Sequence, residues 1–184
     1  EEEEEPAFRR GGVTPRASTR AGLNRLRWNM RLDGYTDFEG RIFWAAGNMG
    51  PAVPPGSYTA TLSVDGREIG TKEFTIHIDP RVQGVTVADL QARFELATRI
   101  RDRTSEANEA VIRIREIKAQ IDDRVEAAND RGLTDAGNDL KEALLAVESE
   151  IYQVKNQSNQ DPLNFPIKLN NKLAALMGVV EGAE

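Results

Sequence analysis

From Val87 to about Asn129, apolar or small side chains recur at Leu90, Phe94, Ala97, Ile100, Thr104, Ala107, Val111, Ile114, Ile117, Ile121, Val125 and Ala128. Steps of three or four place them on one face of a helix. No Gly or Pro interrupts the run, so the pattern predicts a helix of roughly 60 Å at a rise of 1.5 Å per residue. A stripe of that length cannot be buried against itself, and the fold must lay other elements along it. Thr86 has the chemistry of an N-cap, with Asp89 three residues on as a capping-box partner. Asn129-Asp130-Arg131-Gly132 supplies a left-handed stop.

Downstream, Leu140, Leu144, Val147, Ile151 and Val154 step by four and three, the spacing of a narrow packed seam on a second helix capped by Thr134. Asn156 to Gln160 breaks the pattern, Asp161-Pro162 is a start signal, Pro166 marks a restart, and Leu169, Leu173, Leu176 and Val180 mark a third helix. Short connections predict an antiparallel up-down-up bundle in which the first helix overhangs.

Ahead of the helices the period changes to two. Leu26, Trp28, Met30 and Leu32 alternate with Arg25, Arg27, Asn29 and Arg31 as a half-buried strand requires. Ile42-Phe43-Trp44 is a short apolar run, and Gly47 to Gly56 is a loop rich in Gly and Pro. Tyr58, Ala60, Leu62 and Val64 lead into an Asp65-Gly66 hairpin turn, with Phe74, Ile76 and Ile78 on the return. Trp28, Trp44, Tyr58 and Phe74 are the expected aromatic core, and Asp79-Pro80 closes the region. The expected fold class is segregated α+β: an extended arm over 1–20, a small Ig-like antiparallel β-sandwich over 21–80, and a three-helix bundle with one long helix over 86–184.

Charge is polarised along the chain. Arg9, Arg10, Arg16, Arg20, Arg25, Arg27 and Arg31 fall within Phe8 to Arg31, where no acid intervenes, although the whole chain has a net charge of −6. These seven arginines are the candidate partner-binding residues, suited to an acidic protein surface or to anionic head groups. An acidic molecule with no aromatics interleaved among its arginines argues against nucleic acid. The chain lacks Cys and any apolar run near the roughly 20 residues that cross a bilayer. Beginning with Glu rather than Met suits a processed protein or a piece of a longer one.

Catalytic chemistry is not legible. His77 is the single histidine and alternates away from Phe74, Ile76 and Ile78, which places it toward solvent. One histidine without cysteine cannot build an N/S zinc site, and no serine sits in a nucleophile context. Asp33, Asp37 and Glu39 lack the spacing of a calcium loop, and Gly11-Gly12 opens no phosphate-binding turn. The expectation is a protein that is not an enzyme and has no metal or cofactor.

Gly22 to Asn29 and Pro55 to Leu62 resemble strands of the Ig-like domain of flagellar hook-capping proteins. Together with Trp44 to Gly47, Ile78 to Val82 and Ala107 to Ala110, they are more similar to the C-terminal tail of bacterial sortilin-like propeller proteins, often labelled glycosyl hydrolases. The resemblance spans about residues 22–125 and implies an exported protein with an Ig-like module followed by helices. The matching residues form fold rather than chemistry, so no hydrolase activity is carried over. The expected function is a non-catalytic extracytoplasmic interaction or scaffolding protein in the periplasm or cell envelope. It would be an accessory extrinsic subunit bridging parts of a larger protein complex, one peripheral to a membrane and of the energy-transducing class. The alternative is an accessory or carbohydrate-binding tail of a sortilin-like hydrolase.

Overall fold

The computed structural model describes residues 20–182. It is a mixed α+β structure whose elements follow in the order β1 (Gly56–Val64), β2 (Arg67–Ile76), α1 (Val87–Ala128), α2 (Arg131–Ile151) and α3 (Leu169–Gly182), with a 3-10 turn at Asp161–Leu163.

Helix α1 begins and ends where its local chemistry dictates. The Thr86 hydroxyl accepts from the Asp89 amide, the Asp89 carboxylate accepts from the Thr86 amide, and Asn129 closes the helix in the left-handed conformation at φ 46°. Ala97, Ile100, Thr104, Asn108, Val111 and Ile114 are its buried face. The periodicity is as expected, except that Asn108 rather than Ala107 occupies the buried position.

α2 turns back on the C-terminal half of α1. Its N-cap is Asp130, which accepts from the Leu133 amide at 2.8 Å, while Thr134, the expected cap, donates its hydroxyl to the Asp130 carbonyl one turn in. The packed face is also rotated from the expected seam. Gly137, Lys141, Leu144 and Glu148 lie toward α1, and Leu140 and Val147 are left half-exposed. Close approach at one end and charge at the other set this rotation. A Cβ on Gly137 would lie 2.9 Å from a Val125 methyl and 3.0 Å from an Ile121 methyl, so glycine lets the backbones meet. Further along, Glu148 accepts from Arg115 Nε at 2.9 Å and Lys118 Nζ at 2.7 Å.

α3 covers the other half of α1 and scarcely touches α2. Asn170 meets Asn108, whereas Met177 and Val180 pack on Ala97 and Ile100. Like α2, α3 therefore runs antiparallel to α1, and the expected up-down-up order is replaced by up-down-down. The second and third helices lie end to end along the first, so the expected overhang is covered.

Among the described residues the sheet is one antiparallel hairpin, β1 on β2, with Tyr58 opposite Phe74 and a bulge between Leu62 and Ser63. Asp65 and Gly66, at φ 50° and 77°, supply the two positive φ values of the tight turn. Residues 25–32, expected as a strand, contribute only the bridge between Arg31 and Ala52. Trp28 nevertheless joins the expected aromatic group, its ring 6.0 Å from Tyr58 and 6.2 Å from Phe74. Trp44 does not; its main chain is bound to α3.

Between Arg31 and Ala52 the chain runs without regular structure across the helices. Irregular backbone brings main-chain donors and acceptors that must be satisfied wherever water is excluded. Side chains of α1, of α3 and of the stretch that follows α2 do this. Thr36 is held by Ser105, Asn108 and Glu109, Ile42 by Tyr152 and Asn156, and Trp44 by Asn171. Arg41 pairs with Asp37 and lies 4.4 Å over the Phe43 ring, while Arg115 covers Phe38 at 4.9 Å.

Candidate interaction surfaces

Of the seven arginines, Arg9, Arg10 and Arg16 lie outside the described residues. Arg20, Arg25 and Arg27 are exposed. Arg31 is engaged within the molecule, its guanidinium paired with the buried Glu181 carboxylate and donating to the Gly50 carbonyl at 2.9 Å. The same Glu181 oxygen accepts from the Ala52 amide at 3.1 Å, so the last turn of α3 fastens both ends of the irregular segment. The charge run from Phe8 to Arg31 marks all seven arginines alike; the tertiary contact is what separates Arg31 from Arg25 and Arg27.

The hairpin is the most open element. The backbone of both strands stays more than 8 Å from that of every helix, and only the hairpin base at Ile76 faces α1, across a cleft. Register puts Ile76, Phe74, Tyr58, Ala60, Leu62 and Val64 on one face, which is apolar at its base and carries Lys72 opposite Ala60 and Arg67 opposite Val64 toward the tip, and Ser57, Thr59, Thr61, Thr71, Glu73 and Thr75 on the other. Trp28 covers the apolar face at its base only. Toward the tip, Leu62 is 59% exposed and Ile69, at the bulge, 62% exposed. β1 contains no charged residue and no proline, and neither hairpin edge pairs with any described residue outside the hairpin. Such an edge is an open template for another strand.

A cleft of about 810 Å³ lies where the hairpin base meets the N-terminal turns of α1. Its walls are the bridged pair Met30–Arg31 and Ala52–Val53 on one side and Ile76 to Asp79 on the other, with Val82, Val85, Leu90 and Arg93 completing it. Asp79 is held by Arg81 at 2.6 Å, which lowers its carboxyl below the ordinary value, and Asp89 is drawn down by its hydrogen bonds with Thr86. His77, exposed as its alternation predicted, lines the cleft as well. A shallower hollow of about 530 Å³ is lined by Phe38, Glu39, Gly40, Ile112, Arg115 and Glu116.

Among the described residues no three His, Asp or Glu side chains converge as metal ligands would, and no helix is long and apolar enough to cross a membrane. Compared with models of known protein families, with curated proteins and with solved structures, the chain finds no match. The reading of its function therefore rests on the surfaces themselves. Sequence patterning pointed to the arginine run and missed the cleft, because Arg93 and His77 are sixteen residues apart in the chain and belong to different elements.

Proposed function

We propose that this protein is a non-catalytic interaction subunit, extrinsic to a membrane in the cell envelope, that bridges parts of a larger protein complex of the energy-transducing class. The observation that carries the reading is the hairpin: nine and ten residues long, its strands standing away from the helices above the base, with a face open beyond Tyr58 on which Leu62 and Val64 lie beside Lys72 and Arg67, and with an uncharged edge strand. A two-stranded hairpin is marginal on its own and gains stability from a third strand or a covering layer. In this reading the partner supplies that layer and completes an Ig-like sheet, a role that the likeness of Gly22–Asn29 and Pro55–Leu62 to Ig-like strands supports. Arg20, Arg25 and Arg27, close in sequence to Trp28 at the hairpin base, favour an acidic rim on the partner. The helical body, with α1 as spine, is the rigid part that sets the spacing between contacts.

The test is gentle solubilisation of native membranes, size separation and mass spectrometry of what travels with the chain. Co-migration with a large assembly is expected, and the double variant Leu62→Asp, Val64→Asp should abolish it while the circular dichroism of the free protein is kept. A native protein found only as a free monomer, or co-migration indifferent to the double variant, would overturn the reading.

A further inference from the structure

The junction cleft has polar groups that nothing in the described structure satisfies. Each of its other charges has a partner: Arg31 has Glu181, Asp79 has Arg81, and Asp89 is turned into the capping box with Thr86. Arg93, half-buried on the first turns of α1, makes no hydrogen bond or ion pair with a described residue. Nor do the main-chain groups of His77 and Ile78, which follow directly from β2 along one wall. Around these groups the lining is mostly apolar: Met30, Val53, Ile76, Val82, Val85 and Leu90.

Unpaired main chain beside an apolar groove is the arrangement by which an extended peptide is taken up as an added strand, its backbone pairing with the wall and alternate side chains entering the groove. A volume of about 810 Å³ matches such a segment of a few residues. An unpaired guanidinium at the edge of an apolar site favours a carboxylate, which it can grip with two parallel hydrogen bonds.

We propose that the cleft seats an extended segment of a partner protein in which apolar residues alternate with a carboxylate, the backbone pairing along His77–Ile78 and the carboxylate meeting Arg93. The inference rests on the proposed function only in taking the occupant to be protein. It concerns a second surface, at the hairpin base, which shares only Ile76 with the hairpin face.

His77 makes the test direct, since the chain has one histidine and it lines the cleft. Its imidazole carbon–proton resonances are followed by NMR while the full chain is titrated with two capped pentapeptides, Val-Glu-Val-Glu-Val and Val-Lys-Val-Lys-Val. A saturable shift is expected with the acidic peptide, at an affinity roughly tenfold or more above that for the basic one, the scale of one charge-assisted pair. In Arg93→Gln the preference should collapse toward unity, and in Arg93→Glu it should reverse. No saturable shift up to millimolar peptide, equal affinity for both peptides, or an unchanged preference in Arg93→Gln each overturns the proposal. Should a variant fold poorly, the selectivity of the wild-type protein decides by itself. A chain that co-migrates with an assembly yet ignores both peptides refutes the cleft and leaves the proposed function standing; a monomeric chain that selects the acidic peptide does the reverse.

Discussion

Asn170 donates its side-chain amide to the side-chain oxygen of Asn108 at 3.0 Å, in the fully buried seam between α3 and α1. The pair is one link of a longer chain of bonds. Asn108 donates onward to the Thr36 carbonyl at 2.7 Å, and the Asn170 oxygen accepts from the Asn171 amide at 2.8 Å. Asn171 in turn binds both the N–H and the C=O of Trp44, as a neighbouring strand would. Three asparagines thus attach an irregular segment to two helices.

Asn108→Ala removes the middle of that chain and leaves the Thr36 carbonyl and an Asn170 donor buried without partners. A loss of about 2–4 kcal/mol is expected, read from the urea midpoint, because stranded buried polar groups cost more than the bonds themselves gain. Asn108→Asp should be no rescue: it keeps the acceptor for Asn170, loses the donor to Thr36 and adds a buried charge. A variant as stable as the wild type would show the network to be dispensable.

Glu181→Ala should release the irregular segment at both ends. Arg31 loses its counter-charge, and the Ala52 amide loses its acceptor. Hydrogen exchange at Ala52 is expected to accelerate by tenfold or more, with Leu32 and Val53, whose amides bond across the same bridge, following. Exchange confined to its wild-type rate would place the fastening elsewhere.

Substitution of Gly137 sets helix propensity against space. Alanine gains roughly 1 kcal/mol of propensity inside a helix. Here the added methyl would press on Val125 and Ile121 at 2.9 and 3.0 Å, and α2 would have to lift. Gly137→Ala should therefore be net destabilising, by about 1 kcal/mol, and Gly137→Val by more, both measured as a fall in Tm. A rise in Tm for the alanine variant would mean that the seam yields freely.

Glu148 couples the fold to acid. Burial alone would raise its carboxyl, but the hydrogen bonds from Lys118 and Arg115 outweigh it and hold the group below its ordinary value of 4.5. A lowered folded pKa contributes stability above that value, and the contribution is lost as pH falls through the depressed one. Urea midpoints from pH 7 to pH 3 should fall more steeply for the wild type than for Glu148→Gln, the two converging in acid. Parallel curves would remove Glu148 as the acid-sensitive group.

Tyr35 acts at the other extreme. Burial pushes its phenol up to about 12 from 10.0, against a lowering influence of Arg41. Its stabilising contribution is complete below the ordinary phenol range and is lost as pH rises through 12. Absorbance at 295 nm should therefore show a late tyrosinate step that Tyr35→Phe deletes. Its appearance near 10 instead would mean that the ring is not enclosed.

The sequence determined what depends on neighbours in the chain. Thr86 with Asp89, the left-handed Asn129 and the stripe from Ala97 to Ile114 specify α1 almost to the residue, because capping and periodicity act within a few residues. The Asp65-Gly66 turn likewise sets the hairpin and its register. The tertiary structure decided what depends on distant partners. Leu140 and Val147 have the spacing of a seam, yet the close contact at Gly137 and the pairing of Glu148 with Lys118 and Arg115 turn α2 by a different face. The direction of α3 follows from Asn170 finding Asn108, and the course of residues 31–52 from side-chain amides and a phenol binding main-chain groups far away in sequence. Polar pairings of this kind leave no periodic trace in a sequence, because an asparagine reads the same whether it faces water or a buried carbonyl. For the same reason the exposed arginines were legible in advance, while the internal engagement of Arg31 and the cleft around Arg93 and His77 emerged only from the packing.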